Sequence, residues 1–257
     1  MHNKKNNKKS ACIAIPTYNE AENIQKLLTH LILVFSQIKN WDMSILIIDD
    51  HSPDGTANIV KKLQKNHPNI YIIHGEKKGL GEAYTRGFEY ILKNIKPDYI
   101  FEMDADLQHN PEDIPRFLQK TEEGFEFIIG SRYAAGGDYP NWSFKRKLYS
   151  WGANLLARLI AGIKNIEDCT SGFRCIKSSF LKSFDIRSLK INGYAFQLSL
   201  LHAATRKKLK IAEIPILFPN RMKGNSKLGH KDIREFFFHA FRLRFKRYKW
   251  YNDESRF

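Results

Sequence analysis

Residues 44–56 read SILIIDDHSPDGT, and the order of these residue types decides the fold class. Positions 44–48 form a continuous apolar, β-branched run, as a strand covered on both faces requires. The run ends in Asp49 and Asp50, and 49–56 then gathers Ser, Pro, Asp and Gly, which is turn chemistry. Helical spacing follows to about residue 65. The same unit recurs on either side. Upstream, 11–15 is a short apolar run closed by Pro16, and 20–35 sets Ile24, Leu27, Leu28, Leu31 and Val34 at helical spacing. Downstream, 70–74 predicts a strand, a glycine-containing turn at 77–81 leads into a helix over about 82–94, and 99–103 predicts the next strand. Repeated strand–helix units predict an α/β fold: a mostly parallel sheet with helices on both faces. Ligands of such sheets bind beyond the carboxyl ends of the strands.

At 257 residues the chain suffices for one sizeable domain with an appendage. Its 42 Lys and Arg against 27 Asp and Glu leave a net charge of +15, so an anionic partner is expected. Residues 1–10, MHNKKNNKKS, have no apolar core behind their lysines; they read as a disordered basic tail rather than a secretory signal. No window approaches the apolar length of a membrane-crossing helix. The three cysteines have no metal-ligand or redox spacing, which fits reduced thiols in the cytoplasm. No boundary is evident before about residue 215, after which the chain turns basic and aromatic.

The strongest local signal is Asp104-Ala105-Asp106 with Gln108 beyond it. Alternate residues of an extended segment share a side, and two carboxylates held together call for a cation or a proton. Hard oxygen ligands suit Mg²⁺ or Mn²⁺, which completes its shell with substrate phosphates; solvated loop aspartates would read the same way. Asp50, at the end of the 44–48 strand, is placed to accept hydrogen bonds from a nucleoside, while Ser52 or Asp54 is suited to cap the helix that follows. In Pro16-Thr17-Tyr18-Asn19-Glu20, Tyr18 suits stacking on a base and Glu20 a nucleoside hydroxyl; Thr17 or Asn19 as a helix cap, with Tyr18 packing, is the alternative. Arg132 in GSRY, Arg174 in TSGFR, and Arg221, Lys223 and Lys227 in RMKGNSK lie in turn-rich settings that can wrap a phosphate. His109 is read as a loop residue without a role.

Taken in order, IAIPTYNEAENI (13–24), IIDDHSPDGT (47–56), GLGEAYTRGF (79–88), MDADLQHNPEDIP (103–115), IIGSRY (128–133), DCTSGFRC (168–175), NGYAFQ (192–197) and RMKGNSK (221–227) resemble the family-2 glycosyltransferases of the dolichyl-phosphate mannose synthase and polyprenyl-phosphate glycosyltransferase type. The resemblance implies a GT-A domain over 11–220, followed by a phosphate-binding loop and amphipathic helix over 221–257. It assigns Pro16, Tyr18, Glu20 and Asp50 to the nucleoside and Asp104, Asp106 and Gln108 to Mg²⁺ or Mn²⁺. Arg132 and Arg146 would lie near the sugar or the acceptor phosphate, with Arg221 and Lys227 on a loop over the diphosphate. The expected donor is a nucleotide diphosphate sugar, most simply GDP-mannose, and the expected acceptor a polyprenyl phosphate. UDP-glucose or UDP-N-acetylglucosamine as donor, and an acceptor other than lipid, are the alternatives. One departure from the family pattern is Glu102, inside an otherwise apolar strand.

Relatives commonly carry C-terminal membrane helices and this chain ends without them, so attachment from the cytoplasmic face is sought in two amphipathic segments. Over 232–251, Asp232, Glu235, His239, Arg242, Lys246 and Lys249 form a polar stripe, leaving Phe236, Phe237, Phe241 and Phe245 among the apolar positions. Over 147–163 the stripe narrows to Lys147, Ser150, Asn154 and Arg158. Core packing or a homodimer contact is the competing expectation for both. Nucleic-acid binding, motivated by the charge, leaves the strand-end carboxylates unexplained, because acidic clusters repel phosphate backbones.

Overall fold

The computed structural model describes residues 8–183, 185–189, 194–219 and 230–245. Seven strands form one sheet: β1 (Lys9–Thr17), β2 (Trp41–Asp49), β3 (Ile70–His74), β4 (Tyr99–Glu102), β5 (Phe127–Ser131), β6 (Arg174–Lys177) and β7 (Ile211–Pro215). Their order is β3-β2-β1-β4-β6-β5-β7. All neighbours run parallel except β6, which is antiparallel to both β4 and β5. The expected α/β sheet is therefore mostly parallel and mixed.

Between the strands lie α1 (Ala21–Gln37), α2 (Thr56–Gln64), α3 (Leu80–Tyr90), α4 (Ile114–Glu122), α5 (Phe144–Leu159), α6 (Ser178–Lys182) and α7 (Tyr194–Arg206), with α8 (His230–Phe245) after β7. One core packs around α1 and α4, the other around α3, α5 and α7. Ile24, Leu27, Leu28, Leu31 and Val34 are the buried stripe of α1, at the positions the periodicity predicts. The helix expected over 82–94 is α3 continued by a wider π turn, Ile91–Ile95, which Lys96 ends in the left-handed region at φ 56°. Gly87 lets α3 lie close on β2: a Cβ there would stand 2.2 Å from Ile48 Cδ1.

The polar stripes of α5 and α8 are split: Lys147 and Arg242 are exposed, whereas Asn154 and His239 turn inward. Asn154, assigned to the polar face of α5, is buried, and its Oδ1 accepts from the Cys169 amide at 2.8 Å. Phe144, Leu148, Trp151 and Leu159 are exposed instead. On α8, His239 is buried against α7, while Phe238, Phe241 and Phe245 are exposed. The Ser199 hydroxyl donates to Ala195 O at 2.7 Å, so at the 2.5 Å contact with His239 Nε2 the imidazole is the donor. Burial pushes the His239 pKa down to about 4, keeping it neutral. α8 lies on α7 and α5, where the small and apolar Ala240 and Leu243 are buried. No helix among the described residues is long and apolar enough to cross a membrane.

Candidate active site

The carboxyl ends of β1, β2, β4 and β5 face one edge of the sheet, and the loops leaving them carry most of the residues singled out above. The loops after β1 and β2 are laced together. Asp49 is enclosed: it accepts from Thr17 Oγ1 (3.1 Å), the Ser52 amide (3.0 Å) and Ser52 Oγ (2.6 Å). Ser52 Oγ in turn accepts from the Asn19 amide, and Thr56 Oγ1 from the Glu20 amide, each at 3.0 Å. Asp54 meets the Thr56 amide with one oxygen and the Ala21 amide with the other. Ser52 and Asp54 thus serve chiefly to seat the loop ahead of α1. The N-cap of α2 is Gly55, at φ 89°, and that of α1 is Glu20, not Thr17 or Asn19.

This lacing leaves Asp50 as the acidic residue available at the tip of β2. Its amide donates to Thr17 O at 3.0 Å, and its Oδ1 accepts from Arg86 Nη2 at 2.5 Å. Burial pushes the Asp50 carboxyl above the ordinary carboxylate range, and the Arg86 guanidinium works against that shift. Arg86, on α3, was not foreseen, although its segment 79–88 was among those noted. Gly75 makes room for it: a Cβ at 75 would stand 2.2 Å from Arg86 Cζ. Lys77 Nζ sits 3.4 Å from the centroid of the Tyr18 ring, a cation–π contact at the end of β1. Pro16 is the β1 residue in register with Ile48. Glu20 accepts from Asn23 Nδ2 at 2.9 Å.

Beyond β4, Met103 and Ala105 are buried in the core, so the alternating Asp104 and Asp106 turn the other way and are half-buried. Leu107, at φ 65°, reverses the chain, and Asp106 Oδ1 accepts from the Gln108 amide at 3.1 Å. Gln108 is buried, its Nε2 donating to Pro219 O at 2.5 Å. It therefore joins this turn to the segment after β7. His109 has a structural role that its loop position hid. Its Nδ1 accepts from the Asp104 amide at 3.0 Å, and its ring stacks on Phe173 with centroids 4.9 Å apart. Among the described residues no group of three or more His, Cys, Asp or Glu side chains is gathered as a metal cage. Two carboxylates with a neighbouring amide side chain fit a hard cation that draws its remaining oxygens from a ligand.

Arg132, just past the end of β5, is almost fully buried. Its Nε and Nη2 grip Asp168 at 2.7 and 2.6 Å, its amide donates to the same carboxylate, and Nη2 also reaches Thr170 Oγ1 at 2.6 Å. Asp168 is the partner the sequence did not announce. Burial alone would raise its pKa, but the Arg132 guanidinium and the bonds from Arg132 and Thr170 outweigh it and hold the carboxyl below the usual range. Ser143 caps α5, accepting from the Arg146 amide at 3.3 Å, and so starts the helix where Arg146 lies over Trp142. The guanidinium carbons of Arg146 and Arg132 are 3.9 and 5.3 Å from the centroid of that ring, so the two arginines are brought together. Arg174 is not at a phosphate-binding turn. It lies in β6, fully buried, with Nη1 on Gln197 O and Nη2 on Cys169 O. Arg221, Lys223 and Lys227 lie outside the described residues.

Residues 12–184 match the family described as Glycosyl transferase family 2. The polyprenol monophosphomannose synthase of Mycolicibacterium smegmatis is 36% identical over 228 residues, covering 88% of this chain and 83% of that protein. The undecaprenyl-phosphate mannosyltransferase of Micrococcus luteus is 35% identical over 218 residues, 84% of this chain and 86% of its own length. The dolichol-phosphate mannosyltransferase of Pyrococcus furiosus is 35% identical over 232 residues; these are 90% of this chain but 62% of that protein. Among solved structures, glucosyl-3-phosphoglycerate synthase from Mycobacterium tuberculosis, in complex with Mn²⁺, UDP and glucosyl-3-phosphoglycerate, superposes with a TM-score of 0.66 at 17% identity, covering 92% of this chain and 80% of that one. The mannosyl-3-phosphoglycerate synthase of Rubrobacter xylanophilus gives 0.63 at 15% identity, covering 91% and 72%. The fold is thus of the GT-A kind, and the chain belongs to glycosyltransferase family 2 and is a glycosyltransferase.

Proposed function

We propose that this glycosyltransferase moves mannose from GDP-mannose to the phosphate of a polyprenyl carrier of the dolichyl type, inverting the anomeric configuration, at the cytoplasmic face of a membrane. The observation that carries the reading is the gathering, along one sheet edge, of Asp50, the Asp104–Asp106 turn and the Arg132–Arg146 pair. The names of the relatives at 35–36% identity support the choice of sugar and acceptor.

In this reading Pro16, Tyr18, Glu20 and Asp50 take the nucleoside, Asp50 accepting from the base while Arg86 holds its carboxylate in place. Asp104, Asp106 and Gln108 would hold Mg²⁺ or Mn²⁺, which supplies positive charge against the leaving diphosphate. Arg221 and Lys227 would add charge on the same group. Arg146, with Arg132 braced by Asp168, orients the acceptor phosphate on the opposite side of the sugar. A phosphate monoester has a second pKa near ~6, so at neutral pH it is mostly dianionic and already nucleophilic. No general base is needed, in keeping with a His109 whose Nδ1 is occupied by a backbone amide. The exposed aromatics of α5 and α8, with Lys145, Lys147 and Arg242 on the same helices, suit the interface of an anionic bilayer. A homodimer through that face is the second reading, and nucleic acid is not an expected partner.

A thermal-shift screen of GDP-mannose, UDP-glucose and UDP-N-acetylglucosamine, with and without Mn²⁺, tests the donor. A metal-requiring shift with GDP-mannose that vanishes in Asp106→Ala is the expected result. A shift with a UDP-sugar alone would overturn the donor. Transfer to short-chain polyprenyl phosphate, with none to a soluble phosphate ester, tests the acceptor.

A further inference from the structure

Glu102 is the residue of β4 that the apolar pattern leaves unaccounted for. In the sheet it is in register with Ala14 on β1 and Arg174 on β6, and none of its surface is exposed. Neither carboxylate oxygen makes a hydrogen bond, and Arg174 Nε is 4.0 Å away. Burial pushes the Glu102 carboxyl up to about 7; the Arg174 guanidinium works against that rise, and the Gln197 amide less so, though no bond of normal geometry joins that amide to Glu102. Tyr84 Oη, Arg174 Nε and both polar atoms of the Gln197 side chain are also buried without partners. A carboxylate placed this way costs stability, because a loose contact does not offset its lost hydration. Ile100, two residues earlier on the same strand face, shows what a stable residue here looks like. Stability does not explain Glu102.

Its surroundings do. Arg174 is required where it stands: Nη1 donates to Gln197 O at 2.6 Å and Nη2 to Cys169 O at 2.9 Å, which holds the turn whose Asp168 grips Arg132. That arrangement fixes a full positive charge in the interior behind the β4 end. Glu102 and Asp104 are two residues apart and so lie on the same side of an extended chain. Glu102 and Arg174 are both fully buried, with Arg174 Nε 4.0 Å from the carboxylate, so charge on this pair is poorly screened. Left alone, the guanidinium would repel any cation drawn to Asp104 and Asp106.

We infer that Glu102 is a positioning counter-charge, which cancels the field of Arg174 at Asp104 and Asp106 and so sets the affinity of those carboxylates for a divalent cation. The inference rests on the reading of Asp104 and Asp106 as the metal carboxylates. Glu102 itself touches neither cation nor substrate.

The test is a Mn²⁺ titration of the full chain without substrates, following the free-ion signal by electron paramagnetic resonance. Glu102→Gln keeps shape and removes the charge; Mn²⁺ binding should weaken by at least ~10-fold, with a melting temperature equal to or above that of the parent. Glu102→Asp, which keeps the charge, should bind within a few-fold of the parent. The double variant Glu102→Gln/Arg174→Gln removes both charges and should recover most of the lost affinity, which no packing defect would do. Parent-like Mn²⁺ binding by Glu102→Gln overturns the inference even if the double variant fails to fold. So does a folded double variant that binds no better than Glu102→Gln. Asp106→Ala is the separate control: if it binds Mn²⁺ as the parent does, the metal assignment fails rather than the role of Glu102.

Discussion

Replacing Asp168 by Asn removes one charge from the buried clamp that holds Arg132. Asp168 is fully buried and accepts from the Arg132 amide, Nε and Nη2 and from the Thr170 amide and hydroxyl. Asparagine keeps the shape but turns a donor toward groups that are themselves donors. It also leaves the Arg132 guanidinium, 7% exposed, without its counter-charge. Removing one partner of a buried, hydrogen-bonded pair costs about 3–5 kcal/mol. For a chain of this size each kcal/mol lowers the melting temperature by about 2–4 °C, so a fall of roughly 6–20 °C is expected at pH 7. The assay is scanning calorimetry with a parallel urea titration. The half-exposed Lys120–Glu123 pair serves as control, since Lys120→Ala should cost below about 1 kcal/mol. The pH dependence has a definite sign. Because the folded-state pKa of Asp168 is depressed, its contribution is complete above the unfolded carboxylate value near ~3.9 and is lost as pH falls through the lower folded value. The gap between parent and variant should therefore stay constant from pH 7 to 5 and close only in stronger acid. A variant within about 1 kcal/mol of the parent at pH 7 would refute the clamp, and so would a gap already closed at pH 5.

Gly75→Ala should push the Arg86 guanidinium off Asp50, since the added Cβ would stand 2.2 Å from its central carbon. Loss of that charged hydrogen bond should weaken binding of the donor nucleotide by ~10-fold or more, read by calorimetric titration. Thr56→Val keeps the shape but orphans the Glu20 amide and loosens Asp54, and should cost about 1–2 kcal/mol in urea unfolding. Trp151→Glu with Phe241→Glu places charges on the exposed faces of α5 and α8; flotation with anionic vesicles should be lost while the melting temperature holds. Retained flotation, or a change of oligomeric state instead, would move that face from the bilayer to a dimer contact.

The α/β sheet was legible because its evidence is local. A strand covered on both faces must be apolar throughout, and 45–48, buried in the middle of β2, meets that demand without help from distant residues. The antiparallel β6 was not legible: four residues carry no mark of direction, and their orientation depends on which neighbours the chain returns to. The acidic residues at the strand ends were legible as types. Asp50 could be singled out from its place at the strand end, but what takes up Asp49 could not, because Thr17 reaches it from another strand, 32 residues away.

Taken by itself, the order of residues determined the sheet, the strand-end carboxylates, the paired aspartates of 104–106 and membership of a glycosyltransferase family, since each rests on period, spacing or motif. The tertiary structure alone decided which polar groups turn inward. Asn154 and His239 sit on stripes that read as solvent-facing, and both are buried because a partner in another element, the Cys169 amide or Ser199, satisfies them there. Arg174 reads as a loop cation and is a buried brace for the same reason. A polar side chain is placed by whether its hydrogen bonds are met, and those partners come from segments that only folding brings together.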